Sequence, residues 1–119
     1  MDLRDLLREI LEIKGIVALA LFGRDGKLAE SLGQPGAIDL GFVGSTVVSS
    51  VLAAESLLAT LGQGRLSHML LDYEQGPLLL SALGSYVLVT ALDSDQSLGR
   101  VRFQIRRYLP QLQAALPQG

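Results

Sequence analysis

Apolar residues near the start of the chain recur at the spacing of a helix. They follow one side of a period of about 3.6 residues, and charged residues occupy most positions between them. The apolar positions are Leu3, Leu6, Leu7, Ile10 and Leu11. Because Gly15 follows, the pattern predicts an amphipathic helix over roughly residues 2 to 13.

Five later segments have the length and composition of strands. The first is apolar on both faces, as in a central strand covered on both sides, and turn signals such as Asp25-Gly26 and Gly84-Ser85 connect the pairs. The segments are Ile16–Phe22, Lys27–Leu32, Leu66–Glu74, Leu78–Leu83 and Tyr86–Leu92. The uncharged stretch from residue 75 to 92 is long enough to be weighed as a membrane span. Pro77 and the central Gly84-Ser85 favour two strands joined by a turn, so no membrane span is predicted.

A long helix is predicted between these groups of strands, capped by Asp39 and ending at Leu61 before Gly62. Its length would be about 35 Å. One apolar stripe along it is expected to cover the sheet, and that stripe consists of Leu40, Val43, Val47, Val51, Ala54, Leu58 and Leu61.

The other side of this helix lacks the charges of an ordinary solvent-facing surface, because Glu55 is the only charged residue between Asp39 and Arg65. Small, uncharged residues let another helix approach closely. The edge strand that follows, Leu66–Tyr73, lacks the lysines and prolines that protect an edge. Together they predict a homodimer interface formed by Ser45, Val48, Ser49, Leu52, Ser56, His68 and Leu70.

The last helix has an apolar stripe of Leu98, Val101, Ile105, Tyr108, Leu109, Leu112 and Leu116. Pro110 removes one backbone N–H, so a kink or an early end is expected there. Arg100, Arg106 and Arg107 are expected to share one side of this helix. With the off-stripe Phe103, the residues Arg106 and Arg107 form a possible partner face, although a solvated basic face that balances the acids of the first helix is the favoured interpretation of the arginines.

Composition narrows the possible functions. The 119 residues suit a single domain over residues 1–119, with 49% hydrophobic and 18% charged residues. Ten basic and twelve acidic residues give a net charge of −2, which argues against nucleic-acid binding. With no cysteine and one histidine, disulfides, thiolate catalysis and a His/Cys zinc site are excluded. The acidic N-terminus is unlike a signal peptide, so a cytoplasmic location is expected.

Neither glycine-rich segment has the pattern of a nucleotide site. Gly23-Arg24-Asp25-Gly26-Lys27 has the wrong glycine spacing and no following Ser or Thr, and Gly62-Gln63-Gly64 follows a helix instead of a strand. The first is predicted to be a hairpin turn and the second a helix terminus. No cofactor site is therefore expected.

The sequence also lacks the pattern of a catalytic site or a metal site. His68 could act as a base beside a serine, but no nucleophile motif is present, and a structural or interface role is favoured. Asp93 and Asp95 could offer oxygen ligands to a cation, yet they lack the spacing of a calcium loop and fit helix capping. No catalytic or metal-binding residue is predicted.

The predicted order is α-β-β-α-β-β-β-α. It gives a five-stranded antiparallel sheet with the long middle helix on one face and the terminal helices on the other. With this order, the chain resembles the Roadblock/dynein light chain family, of the longin- and profilin-like architecture. The resemblance covers nearly the whole chain and includes Lys14-Gly15-Ile16-Val17, Arg24-Asp25-Gly26 and Leu98-Gly99-Arg100-Val101.

The resemblance implies a bacterial, non-enzymatic regulatory or scaffold subunit that forms a dimer and binds a small Ras-like GTPase. Two other classes stay open. A small-ligand sensor would need an apolar cavity between helix and sheet, and a hydrolase or transferase would need a cleft holding a perturbed base.

Overall fold

The computed structural model describes residues 2–33, 43–74 and 76–117, and within them the elements follow the predicted order. The helices are α1 (Leu3–Leu11), α2 (Gly44–Leu61) and α3 (Leu98–Ala115). The strands are β1 (Ile16–Gly23), β2 (Leu28–Gly33), β3 (His68–Leu71), β4 (Leu78–Leu83) and β5 (Tyr86–Leu92). Within the uncharged stretch, residues 78–92 form the β4–β5 hairpin, as predicted.

The strands form one antiparallel sheet in the order β2-β1-β5-β4-β3. The central strands β1 and β5 are buried along almost their whole length. This explains why both are continuously apolar, since residues on both of their faces are covered. β2 and β3 are the two edges of the sheet, as predicted.

Helices cover both faces of the sheet. α1 and α3 pack on one face around Leu7, Leu19 and Leu88, whereas α2 packs on the other face through Val47 and Val51. The predicted fold class is therefore confirmed, including the placement of the middle helix opposite the two terminal helices.

The start of α2 differs from the prediction. The helix begins at Gly44, with Val43 at the N-cap position, so it has 18 residues and a length of about 27 Å. Asp39 and Leu40 lie outside the described residues. At its start the helix packs closely on the β1–β2 turn, because a Cβ at Gly44 would overlap the carbonyl oxygen of Gly26. Only a glycine lets the helix approach the β1–β2 turn at this point.

Two other boundaries also needed correction. β3 covers His68–Leu71 and not the predicted Leu66–Glu74, because the chain already turns at Tyr73, whose carbonyl accepts a hydrogen bond from Gly76 N–H at 3.1 Å. α3 continues through Pro110 to Ala115, so the early end expected at the proline is wrong.

Arg24 connects three parts of the fold. Its guanidinium donates to both carboxylate oxygens of Glu55 on α2, at 2.6 and 3.1 Å, and to the carbonyl oxygen of Gly84 in the β4–β5 turn at 2.8 Å. Both side chains are about two-thirds buried. The bidentate geometry makes this pair stronger than a typical surface ion pair, and it lowers the pKa of Glu55.

We expect Arg24→Met to lower the free energy of unfolding by about 1 to 2 kcal/mol, since it removes charge-assisted hydrogen bonds that join α2 to two turns. Urea denaturation at pH 7 measures this difference, and Arg65→Met, at an exposed arginine after α2, is the matched control.

The effect should also depend on pH. A depressed carboxyl pKa contributes stability above its unfolded value of about 4.3, and the contribution is lost as the pH falls through the folded value. The difference between wild type and Arg24→Met should therefore shrink below pH 4. A difference that stays constant down to pH 3 would contradict the ionic nature of the contact.

Candidate interaction surface

The outer face of α2 has no charged residue. Glu55, the only charge in the helix, turns inward to Arg24, while Leu52, Leu57 and Leu61 are 53%, 59% and 57% exposed. Ser45, Ser49 and Ser56 are exposed on the same helix, as predicted. Single exposed leucines are ordinary on a protein surface, but an outer face without charge along an 18-residue helix is unusual. This face is therefore unlike a normal solvent surface.

Some hydroxyl groups on this face are satisfied within the helix itself. Ser50 Oγ donates to the carbonyl oxygen of Thr46 at 2.9 Å, and Thr60 Oγ1 donates to that of Ser56 at 3.0 Å. A hydroxyl that bonds back to its own helix depends less on water. The outer face of α2 is thus more apolar in effect than its serine and threonine content indicates.

By length and composition alone, α2 could cross a membrane, with a mean hydropathy of 1.4 over its 18 residues. Only 22% of the helix is buried within this single copy. The predicted stripe covers the sheet in the first half of α2, but Ala54 and Leu58 are only half-buried and Leu61 is exposed. The expectation that Leu61 covers the sheet is therefore wrong.

Val48 also differs from its predicted role. It was expected to lie on the outer face beside Leu52, but its side chain is only 7% exposed. Val48 is one helical turn after Gly44 and three residues before Val51, both of which are buried. It therefore belongs to the inner side of α2 and has little surface left for a partner.

The free edge of β3 lies beside this helix. Met69 packs against the cluster that Val47 and Val51 form with the sheet, whereas His68 and Leu70 point to the α3 side. The predicted interface residues thus lie on both faces of the sheet and approach each other only at its β3 edge. Leu70 and Leu71 are 42% and 44% exposed there.

His68 faces a polar strand neighbour and a cationic helix. Its Nδ1 lies 3.0 Å from Ser81 Oγ on β4, and it shares a groove of about 130 Å³ with Leu70, Leu79, Leu98 and Arg102. Burial, followed by the charges of Arg102 and Arg106, lowers the pKa of His68. Since Ser81 is fully buried, it is not an accessible nucleophile, and the structural or interface role predicted for His68 is the better account.

The arginines of α3 do not share one side. The charges of Arg102 and Arg106 lower the pKa of His68 at the β3 edge. By contrast, Arg100 donates to the carbonyl oxygen of Lys14 at 3.4 Å, and Arg107 lies beside Tyr108 and Glu9. Phe103 is 62% exposed between them. The predicted partner face is therefore divided, with Arg106 on one flank of α3 and Arg107 on the other.

The first glycine-rich segment is a hairpin turn. Gly23 N–H donates to the carbonyl oxygen of Lys27 at 2.9 Å, and Lys27 N–H donates to Asp25 Oδ1 at 3.0 Å. At the second segment, Gly62 ends α2 in the left-handed conformation. Neither segment leads directly into a helix, as the loop of a phosphate-binding motif does.

The polar loop before α3 behaves differently from a simple cap. Ser97 Oγ donates to Asp93 Oδ1 at 2.8 Å, and no side chain caps the first turn of α3. Within residues 2–33, 43–74 and 76–117, no group of three or more His, Cys, Asp or Glu side chains could hold a metal ion.

A cleft of about 570 Å³ lies at the C-terminal end of α2. Arg24, Glu55 and Arg65 line it together with Leu66 and Ala82. Because the Arg24–Glu55 ion pair occupies its wall, the cleft differs from the apolar cavity that a small-ligand sensor would need.

Sequence reasoning missed the three-way contact of Arg24 and the position of Arg102 beside His68. A signal for the first was present, since a single carboxylate in an otherwise uncharged helix requires a partner when it is partly buried. No signal in the sequence joins Arg102 to His68, because they lie on α3 and β3 and meet only in the tertiary fold.

Comparison with known proteins agrees with this architecture. The family model described as Roadblock/LC7 domain matches residues 3–93. An uncharacterised protein of the archaeon Methanocaldococcus jannaschii, MJ0310, is 30% identical over 108 residues, which cover 91% of this chain and 94% of that protein. The bacterial origin implied by the resemblance is thus not a property of all relatives.

Two solved structures share the fold. MglB of Myxococcus xanthus has a TM-score of 0.84 at 24% identity, covering 94% of this chain and 92% of that chain. A structure described as MglB with tetrameric arrangement has a TM-score of 0.82 at 23% identity, covering 95% and 86%. At these identities, the likeness concerns the fold.

Proposed function

The chain belongs to the Roadblock/LC7 domain family, and from that premise we propose that it is a non-catalytic, cytoplasmic regulatory or scaffold subunit. It works as a homodimer that binds a small Ras-like GTPase. Each copy is a single domain over residues 1–119. Helix α3 belongs to this domain because Val101, Ile105 and Leu112 share its core with α1.

The uncharged outer face of α2 is the observation that carries this proposal. Leu52, Leu57 and Leu61 would each gain up to about 1.5 to 3 kcal/mol on burial against a second copy. The neighbouring free edge of β3 can continue the sheet across the same twofold axis. A structurally similar protein is MglB with a tetrameric arrangement, which supports self-association for this fold.

A twofold dimer also provides a site for a GTPase. One asymmetric partner can bind across two equivalent half-sites, so that neither copy alone presents the full surface. Within the part of the chain that the structure describes, the Gly23–Lys27 turn has the hydrogen bonds of a hairpin, which supports a subunit without its own phosphate-binding loop. Nucleotide therefore enters the complex with the partner.

Ser49→Arg should separate the two copies. The new side chain would place bulk and an uncompensated charge in the middle of the α2 face, while Ser49 is exposed within one copy. Light scattering at micromolar concentration should report about twice 12.7 kDa for wild type and the mass of one copy, 12.7 kDa, for the variant.

Ser31→Arg on β2, the opposite edge of the sheet, is the matched control and should remain dimeric. Thermal unfolding of both variants checks that each copy is still folded. A monomeric wild-type protein, or a dimeric Ser49→Arg variant with unchanged affinity, would refute the α2 interface.

Binding to a GTPase should require the dimer. Calorimetry with a small Ras-like GTPase from the same genome should detect binding to wild type and none to Ser49→Arg, whereas GTP or GDP alone should give no heat with this protein. Micromolar nucleotide binding by the isolated chain would contradict the regulatory role and favour a sensor or enzyme.

A further inference from the structure

Within the described residues, the backbone of β3 has hydrogen-bonding groups that point away from its one neighbouring strand, β4. Ala82 N–H donates to the carbonyl oxygen of Ser67 at 3.0 Å, and the β3–β4 register continues this pair as His68↔Ser81 and Met69↔Leu80. Since bonding alternates along an antiparallel ladder, Met69 and Leu71 bond to β4. The N–H and C=O groups of His68 and Leu70 point to the open edge, as would those of Asp72.

Symmetry restricts how a second copy can use this edge. Rotation about a twofold axis perpendicular to the sheet leaves each face of the sheet on the same side in both copies. Each residue must therefore pair with a residue whose side chain points to the same face. Along a strand such residues have the same parity. The axis therefore passes midway between the two copies of one residue, which is called the residue on the axis, and within β3 the central candidates are Met69 and Leu70.

The side chains distinguish these two registers. With Leu70 on the axis, the exposed Leu70 meets its own copy, Met69 lies opposite Leu71, and all three outward-bonding residues find partners. With Met69 on the axis, Leu70 would instead face His68 and Leu71 would face Ser67. Only the first register matches apolar with apolar positions along the strand.

Charge gives a second, independent reason. Among the described residues, no carboxylate forms a salt bridge or hydrogen bond with Arg102 or Arg106. Arg102 lines the groove beside His68, and the charges of both guanidinium groups lower the pKa of His68. Asp72 is exposed directly after β3. With Leu70 on the axis, Asp72 of one copy lies opposite His68 of the other, on the face that holds these arginines.

We propose that a second copy of this chain completes the His68 site, with Leu70 on the twofold axis and Asp72 of each copy placed against His68, Arg102 and Arg106 of the other. This inference rests on the proposed homodimer and adds its register and its charge pairing. The two carboxylates neutralise two clusters of arginines that meet no carboxylate among the described residues of a single copy.

The groups that face His68 define the consequence for its protonation. In one copy they are Ser81 on β4 and the two arginines of α3, and burial and the arginines lower the pKa of His68. Asp72 of the second copy adds a negative charge and opposes this effect. Dimerisation should therefore raise the pKa of His68, and by linkage the dimer should tighten as the pH falls through that range.

Disulfide trapping tests the register, because the chain contains no cysteine. Opposite residues of a hydrogen-bonded antiparallel pair have Cα atoms about 5.5 Å apart, within the range of a disulfide. Under mild oxidation, Leu70→Cys should form a covalent dimer at least about tenfold faster than Met69→Cys or Leu71→Cys alone. An equal mixture of Met69→Cys and Leu71→Cys should form the mixed disulfide.

Light scattering of the reduced variants separates the two levels of the proposal. A dimer in which Met69→Cys is trapped fastest would overturn the register and leave the homodimer intact. A dimer in which none of the three cysteines is trapped would place the interface away from β3. A monomer would overturn both the register and the proposed homodimer.

Asp72→Asn tests the charge pairing. It should weaken the dimer by about tenfold, whereas Asp5→Asn, on α1 near the opposite edge, should leave the affinity unchanged. The single histidine allows its imidazole to be titrated by NMR. Its midpoint should be higher in the wild-type dimer than in the Ser49→Arg monomer, and Asp72→Asn should remove the difference. Equal midpoints in wild type and Asp72→Asn dimers would refute the pairing.

Discussion

The structure depends on a sheet whose central strands are apolar on both faces. β1 and β5 place Phe22 and Val87 on one side and Leu19 and Leu88 on the other, so water must be excluded from both sides at once. Two helices, α1 and α3, cover the side of Leu19 and Leu88. Among the described residues, α2 is the helix that covers the side of Phe22 and Val87, and its few buried residues are centred on Val47 and Val51.

This unequal cover accounts for the unusual character of α2. A helix that covers a sheet face alone is held by few apolar contacts, and the Arg24–Glu55 ion pair supplies a polar connection to two turns. The rest of its surface has neither charge nor burial within one copy. Such a face is a normal feature of a subunit whose interior is completed by association, and an unusual feature of an independent monomer.

The two edges of the sheet differ in a way that favours one of them for pairing. β2 has an ion pair between Glu30 and Arg4, and the exposed Ser31 lies next to Glu30. β3 exposes Leu70 and Leu71 and has no charge within its four residues. Charged side chains discourage edge pairing, so the protected edge is β2 and the open edge is β3. The charges that accompany β3 lie just outside it, at Asp72 and on α3.

The sequence by itself determined the order of the elements, the sheet with helices on both faces and the uncharged side of α2, because these follow from local periodicity and turn residues such as Gly84. It did not determine the close approach of Gly44 to Gly26 at the start of α2, or the burial of Val48, which depends on how the helix sits on the sheet. The Arg24–Glu55 contact and the position of Arg102 and Arg106 beside His68 join residues 31 to 38 positions apart along the chain. Only tertiary packing decides such contacts, since no local pattern fixes which distant side chains meet.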